Sequence, residues 1–255
     1  METRKLLYAT DLKEKSLSFN LLKGILPVHK LDFNEITFLQ TTPFDSWLKE
    51  LSDFSIKSKI ILDDQLLANG ILNTAKNEGA SLIVIHLDRE EGKTSKNSMI
   101  RQLIKETSLP ILFINNTNHK IKPDQKGIFT SVVYATDWSH TSEKALAFLL
   151  DFKKLLGELE IVHVIKGKLT IKEMRQLKDR LMKTRKICLG NKIDAESHIY
   201  AGKTSEEILT AARDYKAAMI VVGGESKKKG LSGFLKKSSS WKVACEADLP
   251  VLVVP

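Results

Sequence analysis

Cysteine is almost missing from this chain: there are two in 255 residues, Cys188 and Cys245. They lie far apart, without the spacing of a zinc site or a CxxC pair, so a disulfide framework is excluded and both read as small buried hydrophobes. No apolar run approaches the roughly 20 residues that a bilayer demands. The opening "METRKLLYATD" enters a strand-like pattern at once and leaves no room for a signal peptide, so a cytoplasmic address and no membrane partner are expected. Catalytic motifs are missing too. There is no GxGxxG after a first strand, no GxSxG, no HExxH and no other metal-ligand spacing among the six histidines. "AGKTS" and "GKT" end like a phosphate-binding P-loop, but Ser197 and Leu87 stand where its first glycine belongs. A non-catalytic protein is expected, with no metal site and room for slow ATP hydrolysis at most. His163, within the apolar "IVHVI", reads as a hydrogen-bonded core residue, and His86 and His198 read the same way.

What is present is enough for a sizeable core, with 42% hydrophobic residues in a length that suits one large domain or two ordinary ones. The net charge of +9 is unevenly spread: residues 1–118 hold 15 Lys+Arg and 15 Asp+Glu, whereas 119–255 hold 25 and 16. A basic second half suits nucleotides, nucleic acid or acidic proteins, and equally a solvated surface.

The chain also repeats itself. "LLYATDLKEKS" from Leu6 returns as "VVYATDWSHTS" from Val132, so Tyr8, Ala9, Thr10, Asp11 and Ser16 recur 126 positions later. "ILNTAKNEGASLIVI" and "LPILFI" recur at offsets of 137 and 140, which places eleven extra residues ahead of the second copy's third helix and three more between its last two strands. Each copy alternates short Val/Ile/Leu runs with amphipathic segments, the pattern of a parallel sheet covered on both faces. The second copy predicts strands at "FTSVVYA", "LEIVHVI", "ESHIYA", "AMIVVGG" and "PVLVVP". Its helices are expected over 142–156, 171–189, 205–215 and about 239–246. In the first copy "TTPFDSWLKELSDF" allows only a short helix or an ordered loop in second place. The polar stretch 115–127 is the expected linker between domains spanning 1–118 and 127–255.

Ligands of open parallel sheets bind beyond the carboxyl ends of the strands, where the strand order reverses. In the second copy that edge should bring together Ala135, Thr136 and Asp137 after the first strand, Val164 and Ile165 closing the second, and the loop "GGESKKKGLSGFLKKSSSW" after the fourth. A carboxylate accepts ribose hydroxyl or base N–H groups, backbone after an apolar strand reads an adenine edge, and a Gly/Ser loop opening a helix donates N–H groups to phosphate. Asp137 also suits an N-cap or an Asx turn.

These motifs, in this order, resemble the universal stress protein family in its tandem two-domain form, over nearly the whole chain. The resemblance implies two Rossmann-like domains, each a five-stranded parallel sheet of order 3-2-1-4-5 flanked by helices. It implies pairing of domains through the last strand, and in many members ATP held without fast turnover. The family's nucleotide loop, G-x2-G-x9-G-[ST], aligns Gly224 with its first glycine and Ser238 with its hydroxyl, but Lys227 and Lys237 with its other two glycines. Gly230 lies within the loop, Ser239 follows it, and Gly202 matches a glycine common before the third helix. The first copy's loop is three residues shorter, with Asn97 and Ser98 nearest the closing pair, so that site is expected to be vacant.

A lysine held at positive φ costs roughly 1–2 kcal/mol. An ammonium beside a triphosphate returns on the order of 1 kcal/mol and a helix N-terminus about 0.3–1 kcal/mol. Two readings therefore stand: a stress-response regulator binding ATP with Mg²⁺ in its second domain, and a nucleotide-free interaction scaffold with an unidentified protein partner. Nucleic-acid binding ranks below both, because only Phe234 and Trp241 are aromatic near the basic loop. The apolar terminal strand needs a partner edge, which favours a pseudo-symmetric pair of repeats within the chain and a homodimer of chains.

Overall fold

The computed structural model describes residues 4–11, 31–43, 45–88, 93–116, 127–225 and 239–255. They form two compact units, one running to Ile128 and including Asp248–Pro250, the other made of Phe129–Ala247 and Val251–Pro255. Among the described residues no helix is long and apolar enough to cross a membrane.

The first unit contains β1 (Arg4–Thr10), β2 (Phe33–Gln40), α1 (Ser46–Ser52), β3 (Lys57–Leu62), α2 (Ala68–Glu78), β4 (Leu82–Asp88), α3 (Lys93–Glu106) and β5 (Ile111–Asn116). Its strands run β3-β2-β1-β4-β5, all parallel. The central strand explains the apolar run that announced it: Leu6, Leu7, Tyr8 and Ala9 are all buried, as expected of a parallel strand with neighbours on both edges. β3 at the edge alternates exposed lysines with half-buried residues, and Lys59 pairs there with Glu78. The Tyr8 hydroxyl meets His86 Nδ1 at 2.7 Å, so His86 is the hydrogen-bonded core histidine that its setting suggested.

The second unit contains β6 (Ser131–Ala135), α4 (His140–Asp151), β7 (Glu158–Ile165), α5 (Ile171–Gly190), β8 (Asp194–Ala201), α6 (Thr204–Asp214), β9 (Met219–Gly223), α7 (Ser239–Glu246) and β10 (Val251–Val254). Its order is β8-β7-β6-β9-β10, again parallel throughout. Both units therefore have the 3-2-1-4-5 arrangement. The extra length of the second copy goes into α5, 20 residues long where its counterpart α1 has 7. A capping box begins α5: Thr170 accepts from the Glu173 N–H while Glu173 reaches back to the Thr170 N–H at 2.8 Å. Tyr134, the repeat of Tyr8, donates instead to the Ser142 carbonyl at 2.6 Å, and burial pushes its hydroxyl up to about 12.

One helix is shorter than its sequence pattern predicts. Apolar spacing carried α4 to 156, but it ends at Asp151. Phe152–Leu155 turn back so that Gly157 and Glu158 donate to the Phe129 and Thr130 carbonyls at 3.0 and 2.9 Å. Tertiary pairing overrides local helical preference here. The turn requires glycine, since a Cβ on Gly157 would sit 2.3 Å from the Thr130 carbonyl oxygen. Because that neighbour is backbone in a strand register, Gly157→Ala should cost about 1–3 kcal/mol, measured as a lower urea midpoint; an unchanged midpoint would refute the close approach.

Candidate functional site

At the carboxyl ends of the second unit's strands lies a cavity of about 420 Å³, within the range usual for small-molecule sites. β6 and the turn after it contribute Ala135, Thr136, Asp137 and Ser139, and β7 contributes Val162, His163, Val164 and Lys166. Gly223, Gly224 and Glu225 line it from the end of β9. Three helices present their N-terminal turns to it: α4 through Ser142, α6 through Thr204 and Ile208, and α7 through Ser239 and Ser240.

The turn from β6 to α4 is organised by short polar side chains. Asp137 accepts from the Ser139 N–H at 2.9 Å, which closes an Asx turn, while Ser139 is the N-cap and accepts from the Ser142 N–H. Of the two local roles open to Asp137, the structure assigns the turn. Burial alone would raise the Asp137 carboxyl, but donors from Ser139 and Ser142 outweigh it and hold the group below the ordinary carboxylate range. Thr136 Oγ1 accepts from the Trp138 N–H at 3.1 Å.

Trp138 adopts φ +55, uncommon for a bulky residue. It is held there by its indole N–H to Thr184 Oγ1 at 3.1 Å, by the Arg180 guanidinium 5.5 Å from its ring and by stacking on His163 at 4.6 Å. His163 Nδ1 lies 2.7 Å from the Thr136 carbonyl. A carbonyl only accepts, so Nδ1 carries the proton, and in the neutral ring Nε2 is left as an acceptor. His163 is thus hydrogen-bonded, but half-buried in the cavity wall rather than enclosed in the core.

The opposite wall depends on close packing. A Cβ on Gly223 would lie 2.5 Å from the Ser142 nitrogen and 2.7 Å from the Thr141 carbonyl carbon. With that contact made, Thr141 Oγ1 donates to the Gly224 carbonyl at 2.9 Å, and the Gly224 N–H is spent on Val254 at 2.7 Å. Gly224 therefore shapes the wall, but its amide is committed to β10 and not to a phosphate.

α6 differs from α4 at its start. Its N-cap, Lys203, makes no side-chain cap, and Thr204 Oγ1 is buried with no hydrogen-bond partner among the described residues. An uncapped helix start in a cavity wall, with an unpartnered hydroxyl beside it, is suited to an oxyanion.

Of the residues expected from sequence, Ala135, Thr136, Asp137, Val164, Gly224 and Ser239 line the cavity. Ile165 and Gly202 stand outside its wall, the Gly202 N–H bonding the Ile165 carbonyl at 3.0 Å. Lys227, Gly230, Lys237 and Ser238 lie outside the described residues. Sequence reasoning missed His163, Lys166, Thr204 and Ile208. Lys166 directly follows a predicted strand end, and Thr204 immediately precedes a predicted helix, so position within the fold was the available signal.

The first unit has a cavity of about 450 Å³ at the corresponding edge, with Asp11, Ser95, Lys96 and Ser98 in its wall. There Lys96 Nζ lies 3.1 Å from Asp11 Oδ2, with side chains 18% and 25% exposed. Its carboxylate already has a cation, whereas among the described residues no Lys or Arg forms an ion pair with Asp137.

Comparison with known proteins follows the same division. A family model described as "Universal stress protein family" matches residues 129–255. Among solved structures, a universal stress protein from Archaeoglobus fulgidus DSM 4304 is similar at 20% identity, covering 98% of this chain and 95% of its own, with a TM-score of 0.68. A functionally unknown protein from Pseudomonas aeruginosa PAO1 is similar at 16% identity, covering 99% and 92%, with a TM-score of 0.69. A universal stress protein from Archaeoglobus fulgidus in complex with dAMP matches 50% of this chain and 99% of its own at 21% identity, with a TM-score of 0.41. None of the curated proteins compared with the chain matches it.

The lowered Asp137 carboxyl has a measurable consequence. A group depressed in the folded state stabilises above its unfolded value, about 3.9, and that contribution disappears as pH falls through the folded value. The stability gap between wild type and Asp137→Asn should therefore hold steady from pH 7 to 5 and shrink below about pH 4. Urea unfolding at several pH values measures it, and a gap independent of pH would contradict the assignment.

Proposed function

The chain belongs to the universal stress protein family through its second half, residues 129–255, and from that premise we propose that the second domain is a nucleotide-responsive regulatory module. It takes ATP or a related adenine nucleotide, with Mg²⁺, into the cavity beyond β6, β7 and β9. The observation that carries this reading is Thr204: its hydroxyl is buried and unpartnered among the described residues, at an uncapped helix start in the cavity wall. A phosphate oxygen supplies the missing partner. Three helix N-termini facing one cavity add favourable potential, each worth about 0.3–1 kcal/mol toward an anion. Lys166 adds a cation on the same wall.

The other end of the ligand has matching chemistry. Asp137 is ionised without a cationic partner among the described residues and suits ribose hydroxyls. Val162, Val164 and Ile208 offer apolar contact to a base, and His163 Nε2 offers an acceptor to an exocyclic amine. The module is regulatory rather than catalytic in this reading: of the two carboxylates in the described wall, Asp137 and Glu225, Asp137 is already held by donors within its own turn. The first domain takes no nucleotide in this reading, since Lys96 already neutralises Asp11.

One observation favours the alternative of a nucleotide-free scaffold. The Gly224 N–H, which a glycine-lined phosphate loop would use, is bonded to Val254. The two readings separate on a direct measurement. Protein purified, denatured and examined by mass spectrometry should release an adenine nucleotide, and calorimetry with Mg-ATP on the stripped protein should show one site per chain. Lys166→Ala should weaken binding roughly two- to fivefold, with the loss largest at low salt. No released nucleotide and no heat at millimolar Mg-ATP would leave the scaffold reading.

A further inference from the structure

On the face of the sheet toward Tyr215, away from that cavity, β7 and β8 set like charges against each other. Their register places Glu158 opposite Asp194 and Glu160 opposite Glu196, with His198 next along β8 beside Val162. Directly opposed like charges destabilise a strand pair. In a chain of net charge +9, relief by lysine or arginine would be simple, yet among the described residues neither Glu160 nor Glu196 has such an ion pair. Glu160 is also largely withdrawn from water, its side chain 13% exposed, and its partner is His198 Nε2 at 2.6 Å.

The structure assigns this group as a divalent-cation site of the zinc class, with Glu160, Glu196 and His198 as ligands. One ligand atom from each residue lies within 4.8 Å of the others. Zinc–ligand distances of about 2.0–2.2 Å put tetrahedral ligand atoms about 3.4 Å apart, so as the ion takes the place of the shared proton the Glu160 oxygen moves away from His198 Nε2 and the exposed Glu196 side chain adjusts to complete the set. The second shell is present: His198 Nδ1 lies 2.9 Å from the Tyr215 hydroxyl, and the two rings stack at 4.4 Å. A carboxylate only accepts, so in the metal-free ring Nε2 donates to Glu160 and Nδ1 accepts from the Tyr215 hydroxyl. An ion replacing that proton reverses the tautomer, Nδ1–H then donating to Tyr215 while the Nε2 lone pair faces the metal. The imidazole distinguishes zinc from magnesium and calcium, which prefer oxygen alone. Three protein ligands leave a coordination position for water. A bound ion fastens the edge strand β8 to its neighbour and to Tyr215 at the end of α6. The ligands are separated by as much as 38 residues in sequence, so no spacing motif announces them. This inference does not rest on the nucleotide reading.

Chelator-treated full-length protein, titrated by calorimetry with zinc chloride, should show a saturable site in the micromolar range or tighter. Magnesium and calcium chloride at the same concentrations should give none, and zinc should raise the thermal midpoint. Glu196 is exposed, so Glu196→Gln should retain native circular dichroism while weakening zinc at least tenfold. Tyr215→Phe should weaken it roughly tenfold or more, and His198→Gln should remove it. Zinc affinity unchanged in both Glu196→Gln and His198→Gln, or no saturable zinc binding to the wild type, would overturn the assignment.

Discussion

The close approach of β9 to the first turn of α4 governs the second domain's candidate site. Gly223 lets two backbones meet where any side chain would collide with the Ser142 nitrogen. With that contact in place, Thr141 binds the Gly224 carbonyl and Gly224 binds Val254. The ends of β6, β9 and β10 are thereby drawn together beside the start of α4. The cavity is what remains between that stitched wall and the end of β7. Its anion-favouring character follows from parallel topology, because every connecting helix starts at the carboxyl edge and turns its N–H groups toward it.

Duplication supplied both domains with this plan, and the copies have since diverged in charge. Asp11 and Asp137 follow equivalent strands in equivalent sequence, "YATD". One is ion-paired with Lys96; the other is held in its turn by serine donors. The same carboxylate is neutralised by a cation in one copy and held by neutral donors in the other. The paired tyrosines diverge likewise, Tyr8 contacting a histidine from β4 and Tyr134 a carbonyl in α4. The second copy's longer α5 brings Thr184 and Arg180 to Trp138, and so fixes His163 in the cavity wall. The first copy's α1 is too short to supply an equivalent.

Much of the fold was legible because buried parallel strands are written as continuous apolar runs, and "VVYA", "MIVV" and "VLVV" admit little else. The start of α5 was legible from apolar spacing, and the structure adds the capping box of Thr170 with Glu173 that fixes it. The end of α4 was not, because the backbone pairing of Gly157 with Phe129 is non-local. At the site, strand ends brought Asp137 and Val164 to the carboxyl edge of the sheet, where both line the cavity. Spacing said nothing of Thr204, whose importance lies in a missing cap, or of the fate of the Gly224 amide, which β10 takes. Glu160, Glu196 and His198 were equally silent, since register alone brings them together.

The central claim is that an anionic nucleotide sits at the helix starts of the second domain and nowhere else in the chain. Backbone amide NMR during titration with Mg-ATP addresses it residue by residue. The account predicts saturable shifts at Thr204, Ser205, Ser239 and Ser240, with Asp11 and Lys96 unmoved. Shifts centred on Asp11 and Lys96, or none at Thr204, would contradict it.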